Sequence, residues 1–351
     1  MIRVFVVDDS AFARRATAKV LALDPNLRVV GEAAGGVEAL ARIPEAAPDV
    51  VTLDLDMPGM DGLAVLRSLL ARDPGLRVIM LSAHTQEGAE ATLEALSVGA
   101  ADFLDKTRFG LLDLEGLGRE LRERVKAMGS RRGGGAEGER GGSSVRRSVQ
   151  PSLSRPIDLC VIGASTGGPA AIQTILERLP ADFPAPVAIV QHMPPGFTRP
   201  FAARLDLHSR LRVSEAEDGV RLTPGQAVIA PAGRHLSFTA RLDMVLSAEP
   251  AQARHIPSVT VMMLSAARVR PGRVLGVLLT GMGDDGAEGM VAIRSGGGAT
   301  VAEAEESCVV YGMPRAAVER GGADHVLPIG ELAEWLAGLR AGSPSAVPAP
   351  R

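Results

Sequence analysis

Short apolar runs alternate with amphipathic stretches through the first part of the chain. IRVFVV, LRVVGEA, DVVTLD, LRVIMLS and ADFL are rich in Val, Leu and Ile with little polar alternation, the pattern of strands buried on both faces. Between them, Ala11–Leu23, Val37–Ile43, Leu63–Ala71, Gly88–Val98 and Leu111–Lys126 carry apolar residues at helical spacing. Strands alternating with helices predict a parallel sheet covered by helices on both faces. The pattern stops from Met128 to Pro156, where Gly, Ser and Arg dominate and apolar residues almost vanish. Such a segment buries too little surface to order itself and reads as a flexible linker. Its arginines suit an acidic partner or, more simply, a solvated tether.

After the linker the alternation resumes. Ile157–Ile162, Val187–Gln191, Ala227–Ile229 and Val274–Leu279 are predicted strands. Pro169–Arg178, Thr198–Leu205, Ser258–Arg268 and Ala287–Ser295 are predicted helices. The expected fold is α/β, with two doubly wound parallel-sheet domains over 1–127 and 157–342, the linker 128–156 between them, and a disordered tail over 343–351.

Composition narrows the function classes. With 46% hydrophobic and 23% charged residues, packed cores are expected, but aromatics at 3% leave them to Ala, Val, Leu and Ile. A net charge of -3 gives no general attraction to nucleic acid. Two cysteines, Cys160 and Cys308, without a CxxC or Cys/His cluster argue against a zinc site or a disulfide framework, and suit a reducing, cytoplasmic setting. The N-terminus lacks the parts of a signal peptide, and no apolar stretch is long enough to span a bilayer, so no membrane insertion is expected.

The ends of the predicted strands carry the chemistry. Asp8 and Asp9 close the first strand and Asp54 the third, all on the edge of the sheet where ligands bind. Three carboxylates there repel unless a cation joins them, and oxygen-only ligation suits Mg²⁺. Ser82 ends the fourth strand and offers a hydroxyl; Lys106 follows the fifth and offers a point charge for a phosphoryl oxygen. VVDDSAFAR, LDLDMPGMDGL, MLSAHTQEGAEAT and GAADFLDK resemble a bacterial response-regulator receiver, a flavodoxin-like fold. The resemblance implies that Asp54 is the phosphoacceptor, that Asp8 and Asp9 help it hold Mg²⁺, and that Ser82, Phe103 and Lys106 are the switch residues. One departure is Thr107, where receivers usually carry Pro.

In the second domain, Gly163-Ala-Ser165-Thr-Gly167-Gly-Pro169 lies between an apolar strand and a helix. Flanking glycines permit a tight turn that exposes the serine, with free amides suited to an oxyanion. The same turn would serve as a phosphate-binding loop or a plain connection. His192 ends the next strand, and Asp284 or Asp285 follows the strand VLGVLLTG. Ser, His and an acid at three strand ends favour a nucleophilic triad. A nucleophile-elbow hydrolase is the competing fold, with Ser165, Asp285 and His325 in that order.

GASTGGP, QHMPPGFTRPFAARL, IAPAGRHL, LLTGMGDDGAEGM and YGMPRAAVERGGAD resemble the chemotaxis protein-glutamate methylesterase family, CheB. The resemblance implies a Rossmann-like methylesterase domain with Ser165 as nucleophile, His192 as base and Asp285 as acid. It places Thr166 and Met282 in the site, with the Met282 amide as oxyanion donor. It also implies a histidine kinase as phosphodonor, the cytoplasmic helices of methyl-accepting chemoreceptors as substrate, and glutamine deamidation as a second activity. In His255-Ile-Pro-Ser258-Val-Thr260, Thr260 stands where the family often has Asp, and Met262-Met263 follow where it usually has Leu-Phe; this segment is expected to line the substrate groove. The alternative is a receiver-controlled binding module whose hydrolase activity is altered or lost.

Overall fold

The computed structural model describes residues 1–82, 86–106, 114–129 and 156–339. The chain divides into two compact units at Ser144–Val145. The first runs β1 (Ile2–Val7), α1 (Ala11–Leu21), β2 (Leu27–Ala33), α2 (Gly36–Ala46), β3 (Val50–Asp54), α3 (Gly62–Arg72), β4 (Arg77–Ser82), α4 (Gln86–Val98), β5 (Asp102–Asp105) and α5 (Leu114–Gly129). Its strands form one parallel sheet in the order β2-β1-β3-β4-β5. Every residue of β3 and β5 is buried, as expected of strands covered on both faces. The strand order reverses between β1 and β3, and that switch point opens the crevice that receives ligands.

Helix edges depart from the sequence pattern where side chains intervene. α2 passes through Pro44 to Ala46 instead of stopping at Ile43. Proline has no amide for the carbonyl four residues back. The Leu40 carbonyl finds another donor in Arg72 Nη1 at 3.2 Å. α5 continues two residues into the segment expected to be linker, because Met128 is buried at 2% exposure. The rest of that segment, from residue 130 to 155, and the tail from 340 lie outside the described residues.

The second unit runs β6 (Leu159–Ala164), α6 (Gly168–Arg178), β7 (Val187–Gln191), α7 (Thr198–Asp206), β8 (Arg212–Glu215), β9 (Gln226–Ile229), β10 (His235–Phe238), β11 (Met244–Ser247), α8 (Val259–Val269), β12 (Val274–Leu278), α9 (Ala287–Ser295), β13 (Ala299–Glu303), α10 (Met313–Glu319), β14 (His325–Leu327) and α11 (Ile329–Ala337). Seven strands form a parallel sheet in the order β14-β13-β12-β6-β7-β9-β8. From central β6 the chain moves to β7 on one side and later returns to β12 on the other. The carboxyl ends of β6, β7 and β12 therefore meet at a switch point. The antiparallel pair β10–β11 lies outside this sheet, and the Phe238 amide on β10 donates to Ser265 Oγ on α8 at 2.9 Å. β8, β10, β11, β13, α10 and α11 are additional to the expected elements. The edge strands β8 and β14 are short and half-exposed, and so lack an apolar signal.

Both cysteines are free and buried, with no disulfide among the described residues. Burial pushes the Cys160 thiol up to about 12, which leaves it inert. Among the described residues, no helix is long and apolar enough to cross a membrane.

Candidate functional site

In the first unit Asp8 follows β1, Asp54 ends β3, Ser82 ends β4 and Lys106 follows β5. The sheet topology brings them to one edge. Ligand oxygens of Asp8, Asp9 and Asp54 lie within 4.8 Å of one another. Lys106 Nζ is 2.7 Å from Asp54 Oδ1 and 3.6 Å from Asp8 Oδ2. Burial raises the Asp54 carboxyl above its ordinary range and the Asp8 charge adds to this, against the opposing effect of Lys106. Asp8 Oδ1 accepts the Ser10 amide at 2.9 Å, whereas buried Asp8 Oδ2 has no hydrogen-bond partner. Three clustered carboxylates, with an unbonded buried oxygen, fit a small hard cation.

The switch residues surround this pocket. Ser82 is buried, with its Oγ 2.8 Å from Thr92 Oγ1. Phe103 is buried in β5, and its carbonyl accepts from Arg124, which also pairs with Asp102 and Glu120. Thr107 lies outside the described residues.

In the second unit Ser165 sits in the turn between β6 and α6. Its amide donates to the Thr280 carbonyl at 3.0 Å, and its carbonyl accepts from the Gly168 amide at 2.8 Å and Gln191 Nε2 at 2.9 Å. The turn needs glycine at 167, where φ is +80° and a Cβ would come within 2.5 Å of Val309 Cβ. Buried Thr280 also grips the next residue: its hydroxyl donates to the Thr166 carbonyl at 2.9 Å. The Thr280 amide is held in turn by Glu303 Oε2 at 2.8 Å, a carboxylate buried at the end of β13.

His192 follows β7, and its Nε2 lies 2.9 Å from Asp285 Oδ2. The other ring nitrogen, Nδ1, is buried without a hydrogen-bond partner. Asp285 takes three further bonds from the start of α8: Ser258 Oγ at 2.8 Å, the Val259 amide at 2.8 Å and the Thr260 amide at 2.9 Å. Burial alone would raise this carboxyl, but His192 and the Thr260 bonds outweigh it and hold the group far below the usual carboxylate range. The positive end of the α8 dipole acts in the same direction.

The 254–260 segment does line the groove beside Asp285, through Arg254, His255, Ser258 and Thr260. The expectation fails for Met262 and Met263, which are fully buried in the core. Their exchange for Leu-Phe is a matter of packing. Thr260 Oγ1 accepts the Gly286 amide at 2.7 Å, a bond an Asp would make only by setting a second carboxylate beside Asp285. Asp284 points elsewhere: it is exposed and paired with Arg320. His325 begins β14, the edge strand three places from β6, with its ring against Trp335 at 5.6 Å. The nucleophile-elbow alternative therefore fails. Thr166 is buried beside the turn, and the Met282 amide donates no hydrogen bond within the described chain. Gln191, Thr280 and Glu303 were absent from the sequence-based site. Each is an ordinary polar residue whose role appears only when strand ends converge.

The two units match two separate families: Response regulator receiver domain over residues 4–112 and CheB methylesterase over residues 160–336. The class is thus a response regulator joined to an enzymatic unit. A relative from Oleidesulfovibrio alaskensis, named protein-glutamate methylesterase/protein-glutamine glutaminase 1, is 44% identical over 95% of this chain and 98% of its own. Another from Nitratidesulfovibrio vulgaris, named protein-glutamate methylesterase/protein-glutamine glutaminase 2, is 45% identical with the same coverage. The solved catalytic domain of Thermotoga maritima CheB methylesterase is 42% identical, covers 52% of this chain and 98% of its own, and superposes with a TM-score of 0.51. The chain belongs to the CheB methylesterase family, and it is a hydrolase.

Proposed function

We propose that this protein is a phosphorylation-regulated protein-glutamate methylesterase that also deamidates glutamines, acting on the cytoplasmic helices of methyl-accepting chemoreceptors. The observation that carries the reading is the His192–Asp285 bond, which leaves a bare, buried Nδ1 at the switch point beside the Ser165 turn. Ser165 Oγ attacks the glutamyl ester carbonyl while His192 Nδ1 takes its proton. The nitrogen roles are reversed from the usual serine-protease arrangement, where Nε2 is the base and Nδ1 faces the acid. Asp285 stabilises the imidazolium, and the Met282 amide would receive the developing oxyanion. The carbon–methoxy bond then breaks, and methanol leaves with the proton from His192. Water attacks the acyl-enzyme, gives a proton to His192, and restores Ser165 as the free glutamate departs. For glutamine the leaving group is ammonia.

In the first unit Asp54 would accept a phosphoryl group from a chemotaxis histidine kinase. Asp8, Asp9 and Asp54 would hold Mg²⁺, which when bound neutralises charge on the phosphoryl oxygens. Lys106 would contact a phosphoryl oxygen, and Ser82 and Phe103 would relay the change to the receiver surface. The setting is cytoplasmic. The alternative of a binding module without hydrolysis has against it an acid held ionised by four donors. The deciding experiment is methanol release from a methylated receptor. Ser165→Ala should lose activity on the order of 10⁶-fold. A variant keeping more than a few per cent of wild-type activity overturns the reading.

A further inference from the structure

One residue of the groove has no part in that scheme. His255 lies between β11 and α8, with its ring stacked on His192 at a centroid distance of 4.2 Å and an angle of 17°. His192 has a single side-chain hydrogen bond, from Nε2 to Asp285. One such bond anchors an imidazole at one corner and leaves its plane free to turn about the bond. A second planar ring against its face removes that freedom.

We infer that His255 is a positioning residue: its ring face, stacked on His192, keeps the base in the plane that presents Nδ1 to Ser165. The inference rests on the reading of Ser165, His192 and Asp285 as the hydrolytic triad.

The loop that carries His255 is itself braced. Buried His235 accepts the Ser258 amide on Nδ1 at 3.1 Å and holds the Pro250 carbonyl through Nε2 at 3.2 Å. The Ile256 carbonyl accepts the Gly233 amide at 3.1 Å. The same loop supplies Ser258 to Asp285, so one braced segment sets both the acid and the stacking ring. Around His255 stand His192, Asp285, Arg254 and Asp284. Burial, and then the neighbouring His192, push the His255 imidazole down to about 4, so at neutral pH it carries no charge. A charged ring in this place would oppose the imidazolium that His192 must become. A neutral π face accepts a cation above it.

The test compares full-length wild type with His255→Ala, His255→Leu, His255→Phe and Ser165→Ala. It measures kcat and KM for methanol release and the imidazole ¹⁵N signals of His192. Thermal unfolding checks the fold, and His255→Leu replaces His255→Ala if the smaller side chain fails to fold. Misplacing a catalytic group by about 1 Å costs on the order of 10²-fold. The Ala and Leu variants should lose kcat on that scale with little change in KM, and their His192 nitrogens should drift towards tautomer-averaged positions. His255→Phe keeps a planar face and should retain most of kcat and the wild-type nitrogen pattern. A Phe variant as slow as Ala, or an Ala variant with wild-type kcat and nitrogen signals, overturns the inference. An active Ser165→Ala would instead remove the triad reading beneath it.

Discussion

Thr280 holds the Ser165 turn from two sides: its carbonyl accepts the Ser165 amide at 3.0 Å and its hydroxyl donates to the Thr166 carbonyl at 2.9 Å. The same hydroxyl accepts the Val310 amide at 2.9 Å. Thr280→Val keeps the shape and strands two buried backbone groups. It should destabilise the second unit by about 1–3 kcal/mol. A turn no longer held should also lower kcat more than it alters KM. Urea unfolding and methanol release together check this, and a variant unchanged in both would leave Thr280 without a structural role.

The adjacent acids should separate cleanly. Asp285 receives four donors, and an Asn in its place must turn its NH₂ towards at least one of them. Asp285→Asn should lower kcat on the order of 10⁴-fold by disorienting His192 and favouring the wrong tautomer. Asp284→Asn loses only an exposed ion pair with Arg320, so it should change activity less than about fivefold. Reversed effects would move the acid by one residue.

Regulation is tested at Asp54. With Mg²⁺ and a small phosphodonor, full-length wild type should change its methanol release by a factor of roughly 5 to 150, the span of typical coupling energies. Asp54→Asn should not respond. If both respond alike, phosphorylation at Asp54 is not the switch.

The same substitution has a stability consequence. The folded state raises the Asp54 carboxyl above its unfolded value, chiefly through burial. Such a group favours the folded state at low pH, and that contribution is lost as pH rises through the raised value. Above the raised value the ionised Asp54 therefore costs stability, and there Asp54→Asn should unfold at a higher denaturant concentration than wild type. A lower midpoint for the receiver transition would mean that the Lys106 ion pair outweighs the burial cost.

His255 predicts an acid response. Its imidazole titrates at about 4 when folded, against 6.5 in the unfolded chain. Between those values the unfolded state binds the extra proton, so stability falls as pH is lowered from about 6.5 to about 4. His255→Phe lacks this proton and should lose less stability across the window. Asp285, held low when folded, adds its own loss below the unfolded carboxylate range in both proteins. Parallel pH curves for the two proteins would contradict the assignment.

Local pattern was enough to set out the parallel sheets, because a strand buried on both faces is mainly apolar, as VVTLD and VAIVQ are. It was also enough to place Asp54, Ser165 and His192 at strand ends, since each is a polar residue that closes an apolar run. Pattern failed at the short edge strands, whose half-exposed residues carry no distinct period. It also failed at Pro44, where a distant Arg72 satisfies the carbonyl the helix leaves open. Sequence alone left Asp284 and Asp285 as equal candidates until the family resemblance chose between them. In the fold the choice is physical: Asp285 turns to the amides of α8 and to His192, and Asp284 turns to solvent and Arg320. Only the tertiary structure brings Thr280 and Glu303 to the site and stacks His255 on His192. Their roles depend on which loops lie side by side at the switch point, and strand order, unlike strand identity, is a property of long-range packing that no local window of sequence contains.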